Sequence, residues 1–209
     1  MSRPSRVAVV SGDDTRVGRA IANALRTADL DVRTEPDDPS DGLDLAVYAR
    51  VPRAALTARP LVAVDEQAWI DAAEQPLRDF VAWMKSMYEP LARRRGTAVL
   101  VAPTASQEGA AGLVPYTTAV EGQRLLAKSV ARQWAGRGIT LITVAPRLDT
   151  VVDVDAIGPT DATRTDPSLG PDAYDPDAVA RVVVMLTDPA ARVLTGATVP
   201  VDGGALLAP

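Results

Sequence analysis

The chain predicts an α/β fold: a doubly wound, mostly parallel sheet with helices on both faces. Three observations carry this. Short apolar runs rich in β-branched residues alternate with longer segments of helical spacing from one end to the other. The runs are apolar throughout, as strands buried on both faces are. The first run ends in glycine and leads into a helix, "RVAVVSGDDTRVG". No internal repeat or linker divides the 209 residues, so a single domain over 1–209 is expected.

The elements follow in order. Residues 6–12 form the first strand. A helix follows with Val17, Ile21, Ala22 and Leu25 on one face. Residues 30–35 and 43–50 read as the second and third strands, separated by the turn-rich "DDPSDG". "LVAV" at 61–64 is too short to assign. From Asp65 to about Arg95 a long helix places Leu77, Phe80, Val81, Met84, Tyr88 and Leu91 on one face, with Pro76 and Pro90 expected to kink or break it. "GTAVLVAP" is a buried strand. Residues 116–135 are helical, with Leu125, Leu126, Val130 and Trp134 in one stripe. "GITLITVAP" is a further strand. Residues 147–175 read as a polar loop. Asp175 then caps a helix that has Pro176 in its first turn, and "GATVPVDGG" supplies the last strand and a turn.

Composition removes several function classes. Apolar residues make up 47% of the chain, enough for a sizeable core. Net charge is −5, and no basic cluster exceeds "RRR" at 93–95, which argues against a nucleic-acid surface. The chain has no cysteine and no histidine. Disulfides, thiol nucleophiles, histidine triads and histidine metal sites are therefore excluded, and no metal is expected. Acid–base work near neutral pH falls to Asp, Glu, Lys or Tyr. The polar "MSRPSR" start and the lack of a spanning segment lead to an expected cytoplasmic location without membrane contact. The richness in Ala, Arg, Asp and Val fits a GC-rich bacterial genome.

Three motifs resemble the short-chain dehydrogenase/reductase family. "LTGATVPVDGG" is similar to its carboxy-terminal T-G-x-x-x-x-V-D-G-G. "YTTAVEGQRLLAKSVARQWAGRGITLITVAP" is similar to its tyrosine helix and the strand after it. "AVLVAPTAS" stands where its serine-bearing strand would be. The resemblance covers nearly the whole chain in the right order. It implies a Rossmann-like domain and hydride transfer between a nicotinamide and a carbonyl or alcohol.

In that family a tyrosine moves the proton, a lysine four residues on lowers the tyrosine's pKa and binds the ribose, a serine steadies the carbonyl, and an asparagine on the preceding helix keeps a water relay. Here Tyr116 matches the tyrosine. Val120 stands at the lysine position and Pro103 at the serine position, with Thr104 the nearest hydroxyl. Pro76, or its neighbour Gln75, stands at the asparagine position. Lys128 lies roughly 18 Å along the helix from Tyr116 and cannot substitute. Tyr116 is then a vestige, packing as a helix-start aromatic at an interface. The alternative is an atypical site using Thr104 or a loop acid such as Asp149 or Asp153.

The family's cofactor turn is T-G-x-x-x-G-x-G. Here Gly12 and Gly18 remain, and Arg16 replaces the middle glycine. Gly12, Arg16, Val17, Gly18 and Glu35 are the candidate cofactor contacts. Arg16 either grips a phosphate or fills its space. Glu35 or Asp37 either holds a ribose hydroxyl or is a solvated turn acid. The N-N-A-G turn is replaced by "YARV" at 48–51, and the P-G after the last core strand by Pro146-Arg147. The gap between the second and third strands is too short for the family's extra helix and edge strand. The resemblance thus implies NAD(H) if any cofactor binds, and weak binding or none.

The long helices and the carboxy-terminal strand carry the family's assembly surfaces. An oligomer through the helices at 77–95 and 116–135 and through the last strand is expected, either of this chain's own copies or with an active paralogue. Three functions stand open: a non-catalytic subunit, an atypical NAD(P)-dependent oxidoreductase, and a ligand-binding module in the vestigial cleft.

Overall fold

A computed structural model describes residues 6–36, 42–52, 56–153, 157, 160–161 and 167–206. Six parallel strands form one sheet: β1 (Arg6–Ser11), β2 (Leu30–Arg33), β3 (Leu45–Tyr48), β4 (Thr97–Val101), β5 (Thr140–Pro146) and β6 (Thr198–Val201). Their order is β2-β1-β3-β4-β5-β6. The chain moves outward from β1 to β2, then returns to β3 on the other side of β1. That reversal opens a crevice at the carboxyl ends of β1 and β3, where Ser11 pairs with Tyr48. Among the described residues β2 is the edge strand on that side.

Strands β3, β4 and β5 are buried at every residue. Alternate side chains feed two cores. Val9, Tyr48, Leu100 and Leu141 face the helices α3 (Gln75–Arg94) and α5 (Val114–Trp134). Val10, Val47, Val99 and Ile142 face α1 (Arg16–Thr27) and α7 (Pro176–Met185). Burial on this scale is the main force holding the sheet together, at about 1.5–3 kcal/mol for each fully buried large side chain. Between α3 and α5 lies the short α4 (Ala105–Glu108), and after β5 the short α6 (Leu148–Val151).

The predicted long helix is one rod with a slipped ladder rather than two pieces. Asp65 caps the short α2 (Glu66–Trp69) through the Ala68 amide. A π turn at Ile70–Glu74 leads into α3, where the Gln75 amide bonds the Ile70 carbonyl five residues back. Pro76 has no N–H to continue the α ladder, and the extra residue of the π turn absorbs that loss. Pro90 does not break α3. It sits in the last turns, and its carbonyl also accepts from the Leu43 amide at 2.9 Å.

Other expectations need correcting. Strands β2 and β3 are each shorter than predicted, because backbone pairing ends at Arg33 and Tyr48. "LVAV" forms a 3-10 turn at Leu61–Ala63, with Leu61 and Val62 exposed. The loop after β5 contains α6, too short to leave a periodic signal. Trp83 is buried against Phe80 and Tyr48, with ring centroids 5.9 and 5.1 Å away. Trp134 is half-buried and packs on Tyr88. Of the stripe predicted on α5, Leu126, Val130 and Trp134 are half-buried and pack against the margin of the core, and Leu125 lies outside it. Ala119, Val120, Gln123, Ala127 and Ala131 face inward, while Leu125 is 67% exposed. Among the described residues no helix is long and apolar enough to cross a membrane.

Candidate active site

The first turn keeps the family's close packing. Gly12 has φ 97°, and a Cβ there would meet the Ala49 carbonyl at 2.5 Å. A Cβ on Gly18 would lie 2.0 Å from the Gly12 oxygen. Thr15 caps α1: its hydroxyl accepts from the Gly18 amide at 3.0 Å and donates to the Gly12 carbonyl at 2.7 Å. Val17 is fully buried under the helix. These residues hold the strand–helix corner together whether or not a cofactor binds.

The same turn is unfavourable for a pyrophosphate. Asp13 and Asp14 stand in it, the second exposed. A carboxylate about 4 Å from a phosphate costs on the order of 1–4 kcal/mol at surface dielectric. Arg16 points elsewhere: its guanidinium donates to the Asp149 main-chain oxygen at 3.4 Å. It bridges the first turn to the segment after β5. The residues present therefore do not fit the phosphates of a nicotinamide dinucleotide.

The nucleoside side of the crevice is better kept. A cleft of about 420 Å³ lies at the ends of β1, β2 and β3, lined by Glu35, Tyr48, Arg50, Asp79 and Trp83 among others. Glu35 is exposed at its edge. Burial pushes the Tyr48 hydroxyl up to about 12, with Arg50 lowering it and Asp79 raising it. Asp37 lies outside the described residues.

Tyr116 sits in the first turn of α5, 3% exposed, inside the chain's own core rather than at its surface. Among the described residues its hydroxyl has no hydrogen-bond partner. Burial drives its pKa well above the ordinary tyrosine value, and no charge pulls it back. Val120, one turn on, is buried beside it on the same face. Thr104 is buried at the carboxyl end of β4, its amide bonded to the Pro146 carbonyl at 2.8 Å. Ser106 turns inward as well, and its hydroxyl donates to the Pro103 carbonyl at 3.0 Å. An uncharged, desolvated phenol with no cation is a poor acid or base at neutral pH.

Three features were not read from the sequence. Gln123, two turns beyond Tyr116 on the same face, donates to the Pro76 carbonyl at 3.1 Å. It ties α5 to the helix where the family keeps its relay asparagine. Arg147, 7% exposed, pairs in a two-pronged way with Asp149, at 3.0 and 2.9 Å. Its guanidinium also lies 5.1 Å from the centre of the Tyr174 ring. Asp149 is thus committed to an ion pair and is not a loose loop acid. The VDGG turn has an internal task too. Asp202 accepts from the Gly204 and Leu206 amides, and the Gly203 carbonyl accepts from Leu169 at 2.9 Å. This clamps the segment that carries Tyr174.

A parallel six-stranded sheet with its crevice beside a glycine turn, and a tyrosine helix packed behind it, defines a dinucleotide-fold oxidoreductase architecture. The family model described as Enoyl-(Acyl carrier protein) reductase matches residues 40–205. The chain belongs to the short-chain dehydrogenase/reductase family. Among curated proteins it is 30% identical over 146 residues to the 3-oxoacyl-acyl-carrier-protein reductase FabG of Vibrio cholerae, covering 69% of this chain and 60% of that protein. The corresponding reductase of Staphylococcus aureus is 30% identical over 147 residues, covering 69% of this chain and 59% of that protein. The match thus spans about three fifths of these relatives' length. Among solved structures, an oxidoreductase of the family from Burkholderia thailandensis superposes with a TM-score of 0.76 at 21% identity, covering 99% of this chain and 94% of the other. An actinorhodin polyketide ketoreductase with NADPH gives 0.78 at 19%, covering 98% and 99%.

Proposed function

We propose that this chain is a short-chain dehydrogenase/reductase that has left hydride transfer and serves as a non-catalytic subunit beside an active member of the family. The observation that supports it is Tyr116: buried, without a hydrogen-bond partner among the described residues, and followed at the lysine position by buried Val120. The outward faces of α3 and α5 support the assembly half of the reading. Leu125 is exposed, and Leu77, Val81, Leu126 and Val130 are only half-covered. A second subunit packed there would bury them. The purified chain should show no turnover of a 3-oxoacyl thioester with NADPH or NADH. Captured from its own host, it should carry an intact dehydrogenase in fixed stoichiometry. Turnover by the chain alone would sink the proposal.

A second reading is an atypical NAD(P)-dependent oxidoreductase. It is favoured by the nucleoside-side cleft, where Glu35 is placed to meet a ribose hydroxyl, and by the reductase names of the relatives. Calorimetric titration with NADH and NADPH tests it. Heat saturating at micromolar cofactor supports it, and none at millimolar cofactor removes it.

A further inference from the structure

The mismatch between the first turn and a dinucleotide points to a different occupant. A separate cleft of about 440 Å³ lies between the first turn, the segment after β3 and the end of α6. That volume is in the range of small-molecule sites, about 300–1,000 Å³. Its walls are Val51, Leu56, Val151, Val152 and Ile157. Val151 and Ile157 are 3% exposed and form its floor. A phosphate-binding cradle has backbone amides and cations on its walls, and these walls are aliphatic.

The charged groups nearby point the same way. Asp14 and Asp153 both line the cleft, and each repels an anion. Arg16, also on the rim, is the nearest cation of the first turn, and it is engaged with the Asp149 carbonyl. A ligand with a full charge of either sign therefore meets a like charge at the rim and aliphatic walls inside. An uncharged one avoids that repulsion and keeps the contact with the five aliphatic side chains. Thr57 on the rim adds one hydroxyl for a carbonyl or hydroxyl group of such a ligand.

We propose that this cleft binds an uncharged, largely apolar small molecule in place of a pyrophosphate. The inference goes beyond the non-catalytic reading above and is tested separately from it.

The test uses the full chain and N-phenyl-1-naphthylamine, a neutral apolar fluorophore. Its emission should rise saturably with one site per chain. Val152→Asp, which puts a carboxylate on a half-buried wall, should weaken binding by about tenfold or more. Val193→Asp alters an exposed apolar residue outside the cleft and should leave binding unchanged. If Val152→Asp fails to fold, Thr57→Glu at the rim takes its place with the same expected loss. Millimolar NADPH should not displace the probe. Absence of saturable binding, binding lost in Val193→Asp but kept in the wall variant, or displacement by NADPH would each overturn the proposal. None of these outcomes depends on whether the chain turns over a carbonyl substrate, which is the readout for the non-catalytic reading.

Discussion

The side-chain amide of Gln123 donates to the main-chain carbonyl of Pro76 at 3.1 Å, from the middle of α5 to the second residue after the π turn. Gln123 is 7% exposed, so the bond is made out of water. The Pro76 carbonyl keeps its place in the α3 ladder, so removal costs one net hydrogen bond, about 0.5–1.5 kcal/mol. Gln123→Ala should lower the urea midpoint accordingly without changing the m-value. Gln123→Glu should be worse, because the carboxylate cannot donate when ionised.

The first turn predicts a stability effect with no cofactor present. Gly18→Ala would drive a Cβ to 2.0 Å from the Gly12 oxygen, which is backbone and has no side-chain rotamer to escape into. A loss of about 3 kcal/mol or more is expected. Gly136→Ala is the control, since nothing lies within 4 Å of its Cβ position. Thermal unfolding of the two variants distinguishes a structural glycine from one kept only for a ligand.

Two buried tyrosines set the alkaline limit. Tyr48 and Tyr116 both have folded-state pKa values raised by burial, Tyr48 to about 12. A raised folded pKa means the native state holds its proton where the unfolded chain, near 10, releases it. Their contribution is fully present below pH 10 and is lost as pH climbs through about 12. Stability should fall by up to about 1.4 kcal/mol per pH unit for each tyrosine above pH 10. Tyr48→Phe and Tyr116→Phe should each flatten that slope. Denaturant melts at pH 9, 10 and 11 check it, and slopes unchanged in both variants would refute it.

The strands were legible because parallel strands buried on both faces read as unbroken apolar runs, as "TAVLV" and "TLITVAP" do. The cap at Asp175 was legible because it depends on neighbouring residues only. What was not legible depended on partners far along the chain. Pro90 reads locally as a break, yet α3 runs on through it to Arg94, with Pro90 buried and its carbonyl bonded to the distant Leu43 amide. The burial of Trp83 has no local signal, because the pairing of β1 with β3 is what brings Tyr48 beneath it. At the site, Val120 and Pro103 could be found by counting from Tyr116. The diversion of Arg16 could not, because its acceptor is 133 residues away.

The last prediction concerns Arg147, which links the end of β5 to the segment above it. Its guanidinium is held by Asp149 and lies over Tyr174, while the Thr150 hydroxyl donates to the Tyr174 carbonyl at 2.6 Å. Gly203 packs against the same tyrosine ring from the VDGG turn. Arg147→Ala removes the cation and the packing of its stem, leaving Asp149 partly buried without its pair. The Asp149 side chain keeps 27% of its exposure, so water relieves part of the penalty, and about 1–3 kcal/mol of local stability is expected to go. Hydrogen exchange should show the Leu169 and Ala173 amides losing protection by about tenfold or more, while the β4 and β5 amides keep theirs. Asp149→Ala should act on the same amides, and the double variant should cost less than the sum of the two. Equal loosening across the whole sheet would mean that Arg147 supports the fold at large rather than this segment.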